Sequence, residues 1–153
     1  MFIDESIRER YVMAAVVVSI QHLGQYRRAM ASLRTKGSST FHMGNERRQH
    51  RLTALARLRD LDYVQIKRVE SKARSQDLAR RECLELLVTS LNRTFSWELI
   101  LDRISRQSSD QALLLGLRQK LKLSLEFSHS SRYEDVGLWG ADIVAWVKKH
   151  PLK

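Results

Sequence analysis

The chain has 153 residues, a formal net charge of +10 at pH 7 and 43% hydrophobic residues. This length supports a sizeable core, and the composition excludes a low-complexity tract or a Pro- or Gly-rich linker, so we expect a single domain over residues 1–153. The one cysteine, Cys83, excludes an intramolecular disulfide and lies at helical spacing from apolar residues, which favours packing over nucleophilic chemistry.

The basic charge indicates the class of partner. A strongly basic domain attracts polyanions, and nucleic acid is the commonest of them, although a basic surface without a dedicated partner is the alternative. The longest apolar run is only strand length, and the N-terminus lacks the pattern of a signal peptide, so the sequence predicts no membrane span and a cytoplasmic protein.

The chain opens with a predicted β-hairpin. Phe2 and Ile3 begin its first strand, which is expected to end at Asp4 and Glu5, and the apolar run 11–18 forms the second strand. Because side chains alternate along a strand, Asp4 and Glu5 are expected to point to opposite faces of the sheet.

Helices and strands alternate over the rest of the chain. Apolar periodicity predicts helices over Ile20–Leu33, from about Asn45 or Glu46, from an N-cap at Ser75 to about Asn92 or Phe95, after a cap at Ser108 or Ser109, and from about Tyr133 to His150. Three further strands are predicted at Tyr63–Val69, Trp97–Asp102 and Leu123–Phe127, with a serine-rich loop at Ser128–Ser131. This order predicts an α/β fold, a mixed sheet with helices packed against it.

Three aspartates, Asp4, Asp102 and Asp142, lie in apolar surroundings. An ionised carboxylate in such a place needs a partner, and a divalent cation is a good one. If the first and fourth strands are parallel neighbours, Asp4 and Asp102 both lie at carboxyl ends of strands, where ligands bind in open α/β sheets. Each aspartate alone is better explained as a strand end or a satisfied helix residue. Together, in a basic protein, they favour a site for Mg²⁺ or Mn²⁺.

Four segments resemble one known family. They are Phe2-Ile3-Asp4-Glu5-Ser6, Phe41-His42, Asp102 at a strand end, and Leu138-Trp139-Gly140-Ala141-Asp142-Ile143-Val144-Ala145-Trp146. Together they resemble the domain of unknown function 3800, over nearly the whole chain. The resemblance implies a ribonuclease-H-like fold, a sheet ordered 3-2-1-4-5 and an acidic cluster of Asp4, Asp102 and Asp142. The chain departs from the family pattern at Ile7, where glycine is usual, and at Trp139, where glutamine is common.

Six further residues are candidates for the same site. Glu5, His42 and Glu46 are candidate catalytic residues: His42 would orient water or contact phosphate, and Glu46 would add a carboxylate. Structural roles are the alternative for both, with Glu46 favouring the first turn of its helix. Arg47, Arg48 and Arg51 would contact nucleic-acid phosphates, or else form a solvated helix face.

These observations support a leading hypothesis and two alternatives. The leading hypothesis is a metal-dependent nuclease that hydrolyses phosphodiester bonds in RNA or DNA. The first alternative is a non-catalytic nucleic-acid-binding module on the same fold, and the second is a protein-interaction domain whose charge is incidental.

Overall fold

The computed structural model describes residues 1–103 and 107–147. The strands are β1 (Phe2–Ile7), β2 (Tyr11–Val18), β3 (Val64–Ser71), β4 (Ser96–Asp102) and β5 (Ser124–Ser130). The helices are α1 (Leu23–Ala31), α2 (Arg48–Arg59), α3 (Gln76–Thr89), α4 (Gln107–Leu121) and α5 (Leu138–Trp146), with short 3₁₀ turns at Ile20–His22 and Met43–Asn45. Within the described residues, no helix has the length and apolar character needed to cross a membrane.

The strands form one mixed sheet in the order β3-β2-β1-β4-β5. β1 pairs antiparallel with β2, and β2 with β3, whereas β1–β4 and β4–β5 are parallel. The short hairpin makes β1 and β2 antiparallel, and the helical crossovers make the later strands parallel. The predicted mixed sheet and the order 3-2-1-4-5 are confirmed.

Each face of the sheet has its own core because consecutive side chains of β1 point to opposite sides. Ile3 packs with α3 and α4 on one face, and Phe2 packs with α1, α2 and α5 on the other. The α5 face is tightly packed: a Cβ atom added at Gly140 would overlap the hydroxyl of Tyr26 on α1. Glycine therefore lets α5 approach α1 closely while remaining pressed against the sheet.

Several predicted boundaries were wrong. Asp4 and Glu5 lie inside β1 instead of ending it, because the hairpin pairing continues to Ile7 opposite Tyr11. Most of the predicted serine-rich loop, from Ser128 to Ser130, belongs to β5, whose pairing with β4 continues as far as Ser130, and only Ser131 lies outside the strand. The 3₁₀ turn at Met43–Asn45 delays the start of α2 until Arg48.

The helix ends also differ in part. Ser75 caps α3 as predicted, with its hydroxyl accepting from the Leu78 amide at 3.2 Å, although α3 ends earlier, at Thr89. The described part of α4 begins at Gln107, so Ser108 and Ser109 lie inside the helix. α5 begins five residues later than predicted, at Leu138, after a run of turns. Its predicted end at His150 lies outside the described residues.

Candidate active site

Asp4 and Asp102 lie where two parallel strands separate. The pairing of β1 with β4 ends with Ile3 opposite Leu101, immediately before the two aspartates. Advancing one residue on both strands brings Asp4 and Asp102 to neighbouring positions, with side chains on the same face of the sheet. The expectation that the first and fourth strands are parallel neighbours is confirmed. Asp4 is only 6% exposed, so its carboxyl group is held in the interior at this crevice.

The helix on that face carries Asp142. Its carboxylate accepts from the Met43 amide at 2.7 Å and lies 3.0 and 3.1 Å from Nδ1 of His42. These contacts hold the segment before α2 against α5. They also place His42 beside one of the three aspartates, where sequence reasoning had offered a functional and a structural explanation.

The three aspartates repel one another. Burial raises the pKa of Asp4 well above its usual value, and the charges of Asp102 and Asp142 raise it further. The Glu5 amide opposes this effect by donating to Oδ1 of Asp4 at 2.7 Å. Burial also raises the pKa of Asp102, and Asp142 adds to that rise, while the nearby positive charge of Arg132 lowers it. The crevice therefore concentrates negative charge that a cation would neutralise.

The chemistry of the three carboxylates suits a divalent cation better than their present arrangement does. Carboxylate oxygens are the ligands that Mg²⁺ and Mn²⁺ prefer, and their mutual repulsion would be relieved by an ion. Among the described residues, however, no three His, Cys, Asp or Glu side chains are grouped so that they could hold a metal ion. In this arrangement, Asp142 is occupied by His42 and the Met43 amide.

Glu5 points to the opposite face of the sheet, as the alternation predicted. It forms an ion pair with Arg80 of α3. Arg80 also makes two hydrogen bonds to Asp110 of α4, at 2.9 and 2.7 Å, and Asp110 lies 2.9 Å from Nε2 of His129 on β5. Burial raises the pKa of Glu5, and the positive charge of Arg80 lowers it. This network directs Glu5 towards α3 and α4, away from the face that carries Asp4.

The sequence analysis did not predict this network, although the position of Arg80 on α3 offered a clue to it. Arg80 and Asp110 are 5% and 3% exposed. Arg80 lies among the buried residues Ala79, Cys83 and Leu84 of α3, where a charged side chain indicates a buried partner. The identity of that partner depends on how α3 and α4 pack, which no local pattern shows.

The remaining candidates lie around the start of α2. Glu46 is 2.5 Å from Nδ1 of His50, so its carboxylate has a partner within its own segment. Arg51 donates to the carbonyl oxygens of Met43 and Gly44 at 2.9 and 3.2 Å, and these hydrogen bonds hold the 3₁₀ turn against the first part of α2. Arg47 and Arg48 are exposed, and their contact with phosphate stays a prediction.

Comparison with known proteins identifies the fold. No protein-family model and no curated protein matches this sequence. Among solved structures, this chain is similar to a chain in the PCNA:RNase HII complex from Archaeoglobus fulgidus, with a TM-score of 0.61 and 15% sequence identity. The match covers 94% of this chain and 68% of that chain. This chain is also similar to the Q54A mutant of Bst-RNase HIII, with a TM-score of 0.55 and 14% identity over 94% of this chain but only 49% of that one. The sheet order and these two likenesses show that the chain has an RNase H-like fold.

Proposed function

We propose that this chain is a divalent-metal-dependent nuclease that hydrolyses phosphodiester bonds in RNA or DNA. The observation that carries the proposal is the burial of Asp4 beside the charges of Asp102 and Asp142, where β1 and β4 separate. A buried set of like charges costs stability, and it is retained where it binds a counter-charge. The resemblance to the domain of unknown function 3800 supports the same assignment, and we include membership of that family and a cytoplasmic location in the proposal.

Each residue has a distinct role in this reaction. Asp4, Asp102 and Asp142 would hold Mg²⁺ or Mn²⁺. The bound ion would polarise the phosphoryl oxygen and lower the pKa of a water molecule. In the tautomer that donates from Nδ1 to Asp142, His42 would keep Nε2 as an acceptor that orients a water or a leaving group. Glu5 would hold β1 in place through Arg80, on the face of the sheet opposite Asp4.

The test is cleavage of labelled single-stranded, duplex and hybrid substrates with Mg²⁺ or Mn²⁺. Asp4→Asn keeps the side-chain oxygen that accepts from the Glu5 amide but removes the charge. Asp62→Asn removes an exposed carboxylate and is the matched control. We expect metal-dependent cleavage by the wild type and the control, and loss of cleavage in Asp4→Asn.

A second candidate function is a non-catalytic nucleic-acid-binding module. It is favoured by the contacts of Asp142, whose carboxylate is already satisfied by His42 and the Met43 amide. Salt-sensitive binding by the wild type and by Asp4→Asn, with no cleavage by either protein, would select this function over the nuclease.

A further inference from the structure

A pocket of about 300 Å³ lies at the carboxyl end of β1, between the β1–β2 turn, β3 and the end of α5. We call it the arginine pocket. Its charged and aromatic lining consists of Arg8, Glu9, Arg10, Arg68, Glu70 and Trp146. None of these residues was a candidate in the sequence, because they come from three separate segments.

The arginine pocket continues the crevice that holds the aspartates. Ser6, which also lines it, follows Asp4 by two residues on the same face of β1, a displacement of about 7 Å. Trp146 follows Asp142 by four residues on α5, one turn or about 6 Å further along. Two of the elements that carry the acidic cluster therefore also form walls of the pocket.

Positive groups outnumber negative ones in this lining. Arg68 and Arg10 share the carboxylate of Glu70, at 3.2 and 3.4 Å. Arg68 also donates to the carbonyl oxygen of Val147 at 2.6 Å. The exposed Arg8 lies with its guanidinium carbon 4.7 Å from the centre of the Trp146 ring. With three guanidinium groups against two carboxylates, the lining charges sum to +1.

Two donors in the wall lack a partner. Nε of Arg68 and Nε1 of Trp146 are two of the five buried side-chain polar atoms without a hydrogen bond among the described residues. More than about 90% of buried polar groups in proteins are paired, so two such donors close together are unusual among the described residues. Both atoms are buried. The exposed guanidinium groups of the lining are those of Arg8 and Arg10, and Arg68, which is held by Glu70 and the Val147 carbonyl, adds its charge beside them.

We propose that the arginine pocket binds a phosphate group of a nucleic-acid strand, next to the phosphodiester that lies at Asp4. This inference rests on the proposed function, which supplies the position of the reacting phosphodiester at Asp4. Guanidinium groups suit phosphate because they donate in a planar fork and remain charged at every physiological pH. A phosphate contact in the pocket positions the nucleic-acid strand without recognising its bases. In the analysis of the protein sequence, Arg47, Arg48 and Arg51 were the candidates for this role.

The experiment measures binding of a labelled single-stranded oligonucleotide to full-length Asp4→Asn protein in EDTA, so that no cleavage interferes. Arg8→Gln and Arg68→Gln are introduced into this protein, and Arg93→Gln, an exposed arginine before β4, is the matched control. We expect each pocket variant to bind about tenfold more weakly than the parent, and the slope of log affinity against log salt to fall by about 0.7. The control should change neither by as much as twofold.

A second measurement locates the contact on the strand. Replacing single phosphates of the oligonucleotide by uncharged methylphosphonates should weaken binding to the parent at one position and leave Arg8→Gln unchanged there. Arg68→Lys keeps a positive charge but lacks the planar fork, so it should remain folded and bind with intermediate affinity. Thermal unfolding of each variant checks that the fold is intact.

The outcomes separate this inference from the proposed function. Equal weakening by Arg8→Gln, Arg68→Gln and Arg93→Gln would overturn the inference even if the wild type cleaves nucleic acid. Selective weakening by the two pocket variants would support it even if no cleavage is found. A different result would be that Arg68→Gln weakens the binding of inorganic phosphate and leaves the affinity for the oligonucleotide unchanged. The pocket would then bind a free anion, and the assignment to a nucleic-acid strand would be refuted.

Discussion

Removing the charge of Asp4 should stabilise the protein in the absence of metal. Asp4 is buried, and its pKa is raised by burial and by the charges of Asp102 and Asp142. Adjacent strands lie about 4.8 Å apart, and two ionised carboxylates about 5–7 Å apart repel by roughly 2–3 kcal/mol at an effective dielectric constant of 20. Asp4→Asn removes this repulsion and keeps the acceptor for the Glu5 amide. We expect a gain of about 2 kcal/mol at pH 7, or roughly 4–8 °C in Tm.

The sign of the pH dependence follows from the direction of the pKa shift. Because the pKa of Asp4 is raised in the folded state, the folded protein binds more protons than the unfolded chain between the usual and the raised value. Stability from protonated Asp4 is complete below the usual aspartate pKa of about 3.9 and is lost as pH rises through the raised value. The advantage of Asp4→Asn should therefore vanish near pH 3.5 and grow towards neutrality.

The assay is thermal unfolding in EDTA at several pH values, followed by addition of MgCl₂. The wild type should gain about 2.7 kcal/mol at a hundred times the Kd for Mg²⁺, and Asp4→Asn should gain much less. Asp62→Asn, at an exposed position, should behave like the wild type throughout. A destabilised Asp4→Asn protein at pH 7 would refute the argument that the aspartates repel one another.

Three further predictions test the packing around the site. Arg80→Met should cost about 3–5 kcal/mol in urea unfolding, since it removes the arginine that neutralises the buried carboxylates of Asp110 and Glu5 and leaves Asp110 with His129 alone, and a loss below 1 kcal/mol would contradict a tight network. Gly140→Ala should cost about 1–3 kcal/mol because the added methyl group overlaps the Tyr26 hydroxyl, and Tyr26→Phe should recover part of that loss; full stability of the single variant would show that α5 is not held so closely. Burial raises the pKa of Cys83 to about 11, so its thiol should resist iodoacetamide at pH 8 until urea unfolds the chain, and rapid labelling of the native protein would disprove its burial.

Local patterns predicted the elements and the faces of the sheet. The apolar runs at the N-terminus predicted the hairpin, and the period of two predicted that Asp4 and Glu5 diverge, because both depend only on neighbouring residues. The boundaries were less predictable. Whether Ser128 continues a strand depends on pairing with β4, which lies about thirty residues earlier in the chain.

The partners of the polar residues required the tertiary structure. Asp142 meets His42 across a hundred residues of sequence, and Arg80 meets Glu5 across seventy-five. No periodicity encodes such a pair, because each partner satisfies only its own local pattern.

The sequence by itself determined the order of the strands and helices, the basic character and the positions of the aspartates at or near the ends of apolar segments. Only the tertiary structure decided that Asp4 and Asp102 lie side by side, that Glu5 faces Arg80, and that arginines from separate segments meet in one pocket. The physical reason is that local propensity acts over a few residues, whereas burial and charge pairing are satisfied only when distant segments pack.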